Sequence, residues 1–175
     1  RLEPRSNAPV TYSRQIARLF QKPCVGCHRG GEIGPFSLLR YDEVVGWADT
    51  IAEVVESRRM PPWHASPRHG QFRNARVMTP AERQLIFQWV SDRAPEGNTA
   101  ELPAPRVFVP GWKLPATPDE VVAMRDTPFT VPGQGTVEYQ YFVVHPEFVE
   151  DRWISAAEVI PGNRSGVHLS LIPIY

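Results

Sequence analysis

Both cysteines of this 175-residue chain lie in one five-residue segment, CVGCH, from Cys24 to His28. A C-x-x-C-H segment is typical of covalent attachment of a c-type haem. The two thiols add to the haem vinyl groups, and the histidine that follows them ligates the iron. Two intervening residues let one tight turn present both sulfurs to one porphyrin edge. The spacing therefore predicts one haem c, attached at Cys24 and Cys27 and ligated by His28.

Three other uses of this cysteine pair are open at the sequence level. A disulfide between Cys24 and Cys27 would need no adjacent histidine. A zinc site would need further ligands at regular spacing. The remaining histidines are scattered at His64, His69, His145 and His168. A thioredoxin-like motif would follow a strand and begin a helix, whereas a helical pattern precedes Cys24, so haem is the favoured interpretation.

A second iron ligand is predicted in the segment RRMPPWHA, residues 58–65. Met60 directly precedes Pro61 and Pro62, and a residue before proline is kept out of the helical region. A thioether on so stiff a loop is suited to bind the iron opposite His28. Ligation by Met and His raises the reduction potential of haem iron. Met60 is therefore the predicted distal ligand.

Three rivals compete with Met60 for this role. His64 and His69 follow it in the same loop region, and Met78 directly precedes the last predicted helix. We expect Met78 to belong to the core instead. We rank Met60 first, the two histidines second, and an open or water-bound position third.

The segment after the cysteines is rich in glycine, with Gly30, Gly31 and Gly34. Glycines allow the backbone to pass close to a flat cofactor. Pro35 follows seven residues after His28, and its carbonyl can accept a hydrogen bond from the ligand histidine, which would fix the ring. A plain turn proline is an equally good interpretation, and both stay open for Pro35.

Helical periodicity predicts three elements around this site. The first runs from Thr11 to Gln21 and is ended by Pro23. The second runs from Asp42, its predicted N-cap, to Arg58. The third begins in a capping box at residues 79–82 and ends near Ala94-Pro95. The apolar faces of these helices are expected to form the core.

Residues 95–106 have the composition of a linker, and after them the periodicity becomes alternating. The strand candidates are Val107–Val109, Glu120–Met124, Phe129–Val131, Val137–Val144, Trp153–Ile160 and Val167–Ile172. Short strands at this spacing predict a β-sandwich or part of one. We therefore predict a mainly α cytochrome c domain (class I-like) at residues 1–98 and a small all-β, sandwich-like domain at residues 99–175.

The formal net charge is zero, so the total gives no argument for nucleic acid or an anionic membrane as partner. Residues 1–100 carry a net +4 and residues 101–175 a net −4. The sequence has no run of 18 apolar residues, so it predicts no transmembrane segment. Covalent haem attachment normally occurs outside the cytoplasm, so we expect a periplasmic or extracellular protein whose signal sequence has been removed. A lipid anchor stays open.

The run from Thr11 to Pro95 resembles the c-type cytochrome domain of large secreted bacterial proteins, notably those of planctomycetes. Its most specific pieces are CVGCH and MPPWHA. The second half, above all EVIPGNRSGVH, resembles the start of the β-sandwich modules of copper type II, ascorbate-dependent monooxygenases. The resemblance implies Cys24 and Cys27 for haem attachment, His28 as proximal ligand and Met60 as distal ligand.

The copper chemistry of those modules transfers poorly to this chain. Their pattern has two adjacent histidines for one copper, whereas His168 is followed by Leu169. The sequence also stops at Tyr175, before further copper ligands could occur. We therefore assign no metal to His168.

These observations together predict a monohaem electron carrier. It would pass single electrons to and from a redox protein partner, or act within a larger membrane-associated redox assembly, with the second half as a docking module. The alternatives are a haem-containing fragment of a copper-dependent monooxygenase-like enzyme and a structural haem protein of an assembly.

Overall fold

The computed structural model describes residues 9–63, 65–73 and 75–167. The chain divides into two units, Arg1–Arg106 and Val107–Tyr175. The end of the first unit is tied back by hydrogen bonds: the Gln21 side chain donates to the Ala104 carbonyl at 3.0 Å, and Arg106 donates to the Gln21 carbonyl at 2.9 Å. The division therefore falls after Arg106, whereas the sequence placed the boundary between residues 98 and 99.

The first helical segment begins with one π-helical stretch, Tyr12–Ile16, and continues as α1, Ala17–Gln21. The Thr11 side chain caps it by accepting a hydrogen bond from the Arg14 N–H. Tyr12, Ile16 and Phe20 are buried on one face. The helix predicted over residues 11–21 is present, and its buried face follows the predicted apolar spacing.

The second predicted helix is divided into three pieces. They are α2 (Tyr41–Val44), a 3₁₀ turn (Val45–Trp47) and α3 (Ala48–Glu56). The tightened turn contains Gly46, a residue type that weakens helix interiors. Asp42 is not the N-cap: it lies inside the first turn and pairs with the Arg40 side chain. Glu43 instead accepts the Arg40 N–H at 3.2 Å, because the N-cap is Arg40, two residues before the predicted one.

The last helix, α4 (Pro80–Ser91), begins in the predicted capping box. The Thr79 hydroxyl accepts the Glu82 N–H at 3.2 Å, and the Glu82 carboxylate accepts the Thr79 N–H at 2.9 Å. Pro80 occupies the first helical position, where its missing N–H is not needed. This prediction is confirmed, because all of its partners lie within four residues of sequence. Short 3₁₀ turns occur at Pro67–His69, Thr99–Glu101 and Arg164–Gly166.

Replacing Glu82 with Ala should lower the free energy of unfolding by about 1 kcal/mol. Hydrogen bonding to Thr79 holds the pKa of Glu82 below its ordinary value, with a smaller contribution from Lys22. A lowered carboxyl pKa stabilises the fold above the unfolded-state pKa, and that stabilisation disappears as the pH falls through the folded-state pKa. Urea unfolding should therefore show a difference from wild type at pH 7 that shrinks at low pH. The exposed Glu56, replaced by Ala, is the control and should leave the free energy of unfolding at pH 7 near the wild-type value.

The core of the first unit is centred on α4. The rings of Tyr41 and Trp89 lie 5.5 Å and 6.4 Å from the Tyr12 ring, centroid to centroid. Their polar atoms bond to the chain that follows α4: Tyr41 Oη donates to the Ala94 carbonyl at 2.9 Å, and the Trp89 indole donates to the Pro95 carbonyl at 3.0 Å. The aromatic core thus joins the first helix, α2 and α4 without leaving those polar groups unpaired.

The predicted fold class is wrong. The described part of the chain contains only short helices and turns, and none of its residues forms a β-strand. The expected strands of residues 107–160 pair with no neighbour, and side chains of the best alternating run, Tyr139, Tyr141 and Val143, are 74%, 86% and 78% exposed. A strand exists only through a hydrogen-bonded ladder with a second strand. The last candidate, Val167–Ile172, lies outside the described residues except for Val167. An all-β sandwich is therefore not present in the described residues.

Among the described residues, none of the helices is long and apolar enough to cross a membrane.

Candidate haem site

The segment CVGCH forms a tight turn directly after α1. The amides of Cys24 and Val25 donate to the Phe20 carbonyl at 3.1 and 3.0 Å, and those of Cys27 and His28 both donate to the Cys24 carbonyl at 3.0 Å. Val25 is buried, while both cysteines and His28 are partly exposed. One turn therefore carries both sulfurs and the imidazole. The two thiols are free and form no disulfide with each other.

The Cys24 thiol is affected by burial. Burial raises the pKa of Cys24 to about 12, with the nearby Cys27 as the smaller cause. A thioether at this position would carry no charge. Within residues 9–63, 65–73 and 75–167, no group of three or more His, Cys, Asp or Glu side chains could hold a metal ion. Two thiols and one histidine are the protein groups that a haem c would need, because its porphyrin itself supplies four nitrogen ligands.

The His28 ring is held by a backbone carbonyl. Its Nδ1 lies 3.2 Å from the Phe36 oxygen. Burial lowers the pKa of His28 below its ordinary value, and the hydrogen bond to Phe36 opposes that shift. A neutral ring that donates from Nδ1 keeps the Nε2 lone pair for a metal. Because a carbonyl oxygen can only accept, a neutral His28 in this contact carries its proton on Nδ1 and keeps Nε2 free, as a proximal iron ligand would need.

Pro35 is not the acceptor of this hydrogen bond. It is exposed, and the carbonyl that faces His28 belongs to the next residue, Phe36. The sequence offered no signal for Phe36, because which carbonyl faces the ring depends on the path of the loop. Pro35 shapes that path by fixing its own φ angle next to the acceptor.

The loop returns to the cysteine turn at Gly34. The Gly34 amide donates to the Cys27 carbonyl at 2.9 Å, and the Leu38 amide donates to the His28 carbonyl at 3.0 Å. A Cβ on Gly34 would lie 2.7 Å from the Cys27 oxygen and 2.8 Å from the His28 Cα. These are backbone atoms that cannot turn aside. The close approach of Gly34 to the Cys27 and His28 backbone requires glycine at this position.

Gly30 and Gly31 behave differently from Gly34. A Cβ added to either of them would meet nothing within 4 Å. Gly31 has a φ angle of +79°, which only glycine adopts without strain. Gly31 therefore forms the turn, and among the three glycines only Gly34 is in close contact with the rest of the chain.

Two aromatic rings extend from His28 towards solvent. The Phe36 ring centroid lies 5.1 Å from that of His28, with the planes tilted by 59°. The Trp47 ring stacks on Phe36 at 4.4 Å, with an angle of 7° between the planes. Trp47 itself is 44% exposed. The three rings thus contact one another in the order His28, Phe36, Trp47, and the last of them is exposed.

The Cys27 sulfur has a cationic neighbour, Arg76. Arg76 Nη1 lies 3.6 Å from the Cys27 sulfur. Beside it, a cavity of about 240 Å³ lies between Pro23 and residues 75–78. Met78 lines this cavity and is 5% exposed, so its prediction as a core residue is confirmed.

Met60 lies on the loop that follows α3. Its amide donates to the Val54 carbonyl at 3.0 Å, which ties the start of the loop to that helix. The Met60 side chain is 39% exposed. Among its rivals, His69 is exposed in a 3₁₀ turn, while His64 lies outside the described residues. His168, the residue to which no copper was assigned, also lies outside them.

Comparison of the chain with protein-family models, with curated proteins and with solved structures finds no match. Its function therefore has to be inferred from its own residues and their geometry.

Proposed function

We propose that this chain is a monohaem c-type cytochrome that transfers single electrons outside the cytoplasm. One observation supports it above all: a single turn carries two unpaired sulfurs and a histidine whose Nδ1 is hydrogen-bonded to a carbonyl. The spacing C-x-x-C-H is that of covalent haem attachment. A disulfide between Cys24 and Cys27 would not need an adjacent histidine. It would therefore leave the hydrogen bond between His28 and Phe36 without a function.

In this proposal Cys24 and Cys27 hold the group by two thioether bonds, and His28 ligates the iron through Nε2. The hydrogen bond to Phe36 keeps the imidazole oriented and raises its strength as a ligand. When bound, haem c supplies a one-electron iron couple. The chain's part is to hold the group, to orient the ligand and to limit the access of water.

Met60 is the proposed distal ligand. The two prolines after it restrict the loop, and its amide bond to Val54 anchors the loop to α3. A thioether opposite His28 would leave no coordination position for oxygen or peroxide. This favours electron transfer over oxygen chemistry, with a redox protein or a larger membrane-associated redox complex as the partner.

The protein made in a host that attaches haem covalently should contain one haem c per chain. The pyridine haemochrome spectrum and an iron determination on the purified chain measure this directly. Protein from the same host without any c-type haem would contradict the proposal.

Replacing Met60 with Ala should abolish the weak far-red absorption band that Met–iron ligation gives to the oxidised protein. The reduction potential should fall, because a Met ligand favours the reduced iron. Met124, also exposed at 42%, is the matched control, and its replacement by Ala should leave the band intact. A wild-type spectrum without the band would reject Met60 as ligand while leaving haem attachment in place.

A further inference from the structure

Phe36 contacts the proposed iron ligand in two ways. Its carbonyl oxygen lies 3.2 Å from His28 Nδ1, and its ring centroid lies 5.1 Å from the imidazole centroid. Both contacts depend on the position of one residue. That residue sits in a loop whose two flanks are pinned to the cysteine turn by the Gly34 and Leu38 amides.

Trp47 covers the outer face of Phe36. The two rings are stacked with centroids 4.4 Å apart and planes within 7°. Trp47 ends the 3₁₀ turn before α3, and the residues that begin this helix are fixed by burial: Ala48 is 8% and Ile51 5% exposed. The indole is thus attached to a packed helix, whereas the loop below it has no helix of its own.

We propose that Trp47 is a positioning residue: it clamps Phe36 over His28 and keeps water away from the Nδ1–H···O=C hydrogen bond. The inference rests on the proposed function, in which His28 ligates the iron. A hydrogen bond shielded from water is stronger than one that water can replace. Loss of a partner that orients a metal-binding histidine commonly lowers metal affinity or activity by about tenfold or more. Trp47 acts through Phe36 and does not itself touch the cofactor.

The test uses the haem-loaded, reduced protein and the exchange of the His28 Nδ1 proton with solvent, followed by NMR. Trp47→Ala should speed this exchange at least tenfold, and Trp47→Phe, which keeps a stacking ring, should restore most of the protection. The amides of Ile86 and Trp89 in α4 report global opening and should exchange at the wild-type rate. Trp153→Ala is the matched control, because Trp153 is fully exposed in the second unit.

If Trp47→Ala does not fold, a second variant, Phe36→Leu, tests the same inference. Phe36→Leu retains the backbone carbonyl but removes the ring on which Trp47 stacks, so it should speed Nδ1 exchange as well. Wild-type exchange in either folded variant overturns the inference and leaves the proposed function standing. Acceleration that appears equally in the α4 amides also overturns it, because the effect would then be global unfolding. A wild-type chain without covalent haem overturns the proposed function first.

Discussion

Replacing both Cys24 and Cys27 with Ala should abolish covalent haem in this protein. The chain has no other cysteine, so no second residue can form a thioether to a vinyl group. Each single variant should keep one bond and retain haem on a denaturing gel. Its haemochrome band should move to longer wavelength, because one vinyl group stays unsaturated. Haem staining of the gel and extraction into acidified organic solvent separate the three variants.

The single variants are the controls for the double variant, since each removes one sulfur and leaves the turn around it in place. Haem that resists extraction in the double variant would place the attachment elsewhere and contradict the proposed site. Loss of all haem from one single variant only would instead show that this thioether must form first.

Replacing Gly34 with Ala should destabilise the site by about 1–3 kcal/mol, the usual effect of overpacking. The added Cβ would lie 2.7 Å from the Cys27 oxygen and 2.9 Å from the His28 Cγ. Since both belong to the attachment turn, relief of the clash has to move either the histidine or the loop that carries Phe36. The free energy of unfolding in denaturant should fall, and the yield of haem-loaded protein should fall with it.

Gly30 is the matched control for Gly34. It lies in the same loop, its φ is not in the left-handed region, and an added Cβ meets nothing within 4 Å. Gly30→Ala should therefore change stability by no more than about 0.5 kcal/mol. Equal losses in both variants would show that the loop, rather than the close contact at Gly34, is sensitive to substitution.

Helix starts in this chain could be predicted where they depend on residues that are close in sequence. The capping box at Thr79 and Glu82 was found from four letters, because its hydrogen bonds join residues three apart. The N-cap of α2 is Arg40, two residues before the predicted Asp42, because Glu43 accepts the backbone N–H at this end of the helix. Such errors are small because each competing partner is local.

The second half of the chain shows where local pattern is insufficient. Alternation over Val137–Val144 is a property of one segment, but a strand needs the N–H and C=O groups of another. In the described residues this segment forms no strand, and many large apolar side chains of that half stay exposed, Trp153 among them. The alternation predicted a segment able to form a strand. Whether it does so depends on a partner segment that is distant in sequence.

The same distinction applies within the candidate site. The proposed haem chemistry could be inferred from CVGCH alone, because the reach of two thiols and one imidazole across a single turn is set by covalent geometry. The rest came from tertiary structure: the acceptor at His28 is Phe36 and not Pro35, Gly34 is the glycine under steric constraint, and Trp47 stacks above the ligand's partner. These three contacts join residues six to eleven positions apart through a loop of irregular path. No period or motif encodes such a path, so only the folded chain decides which atoms meet.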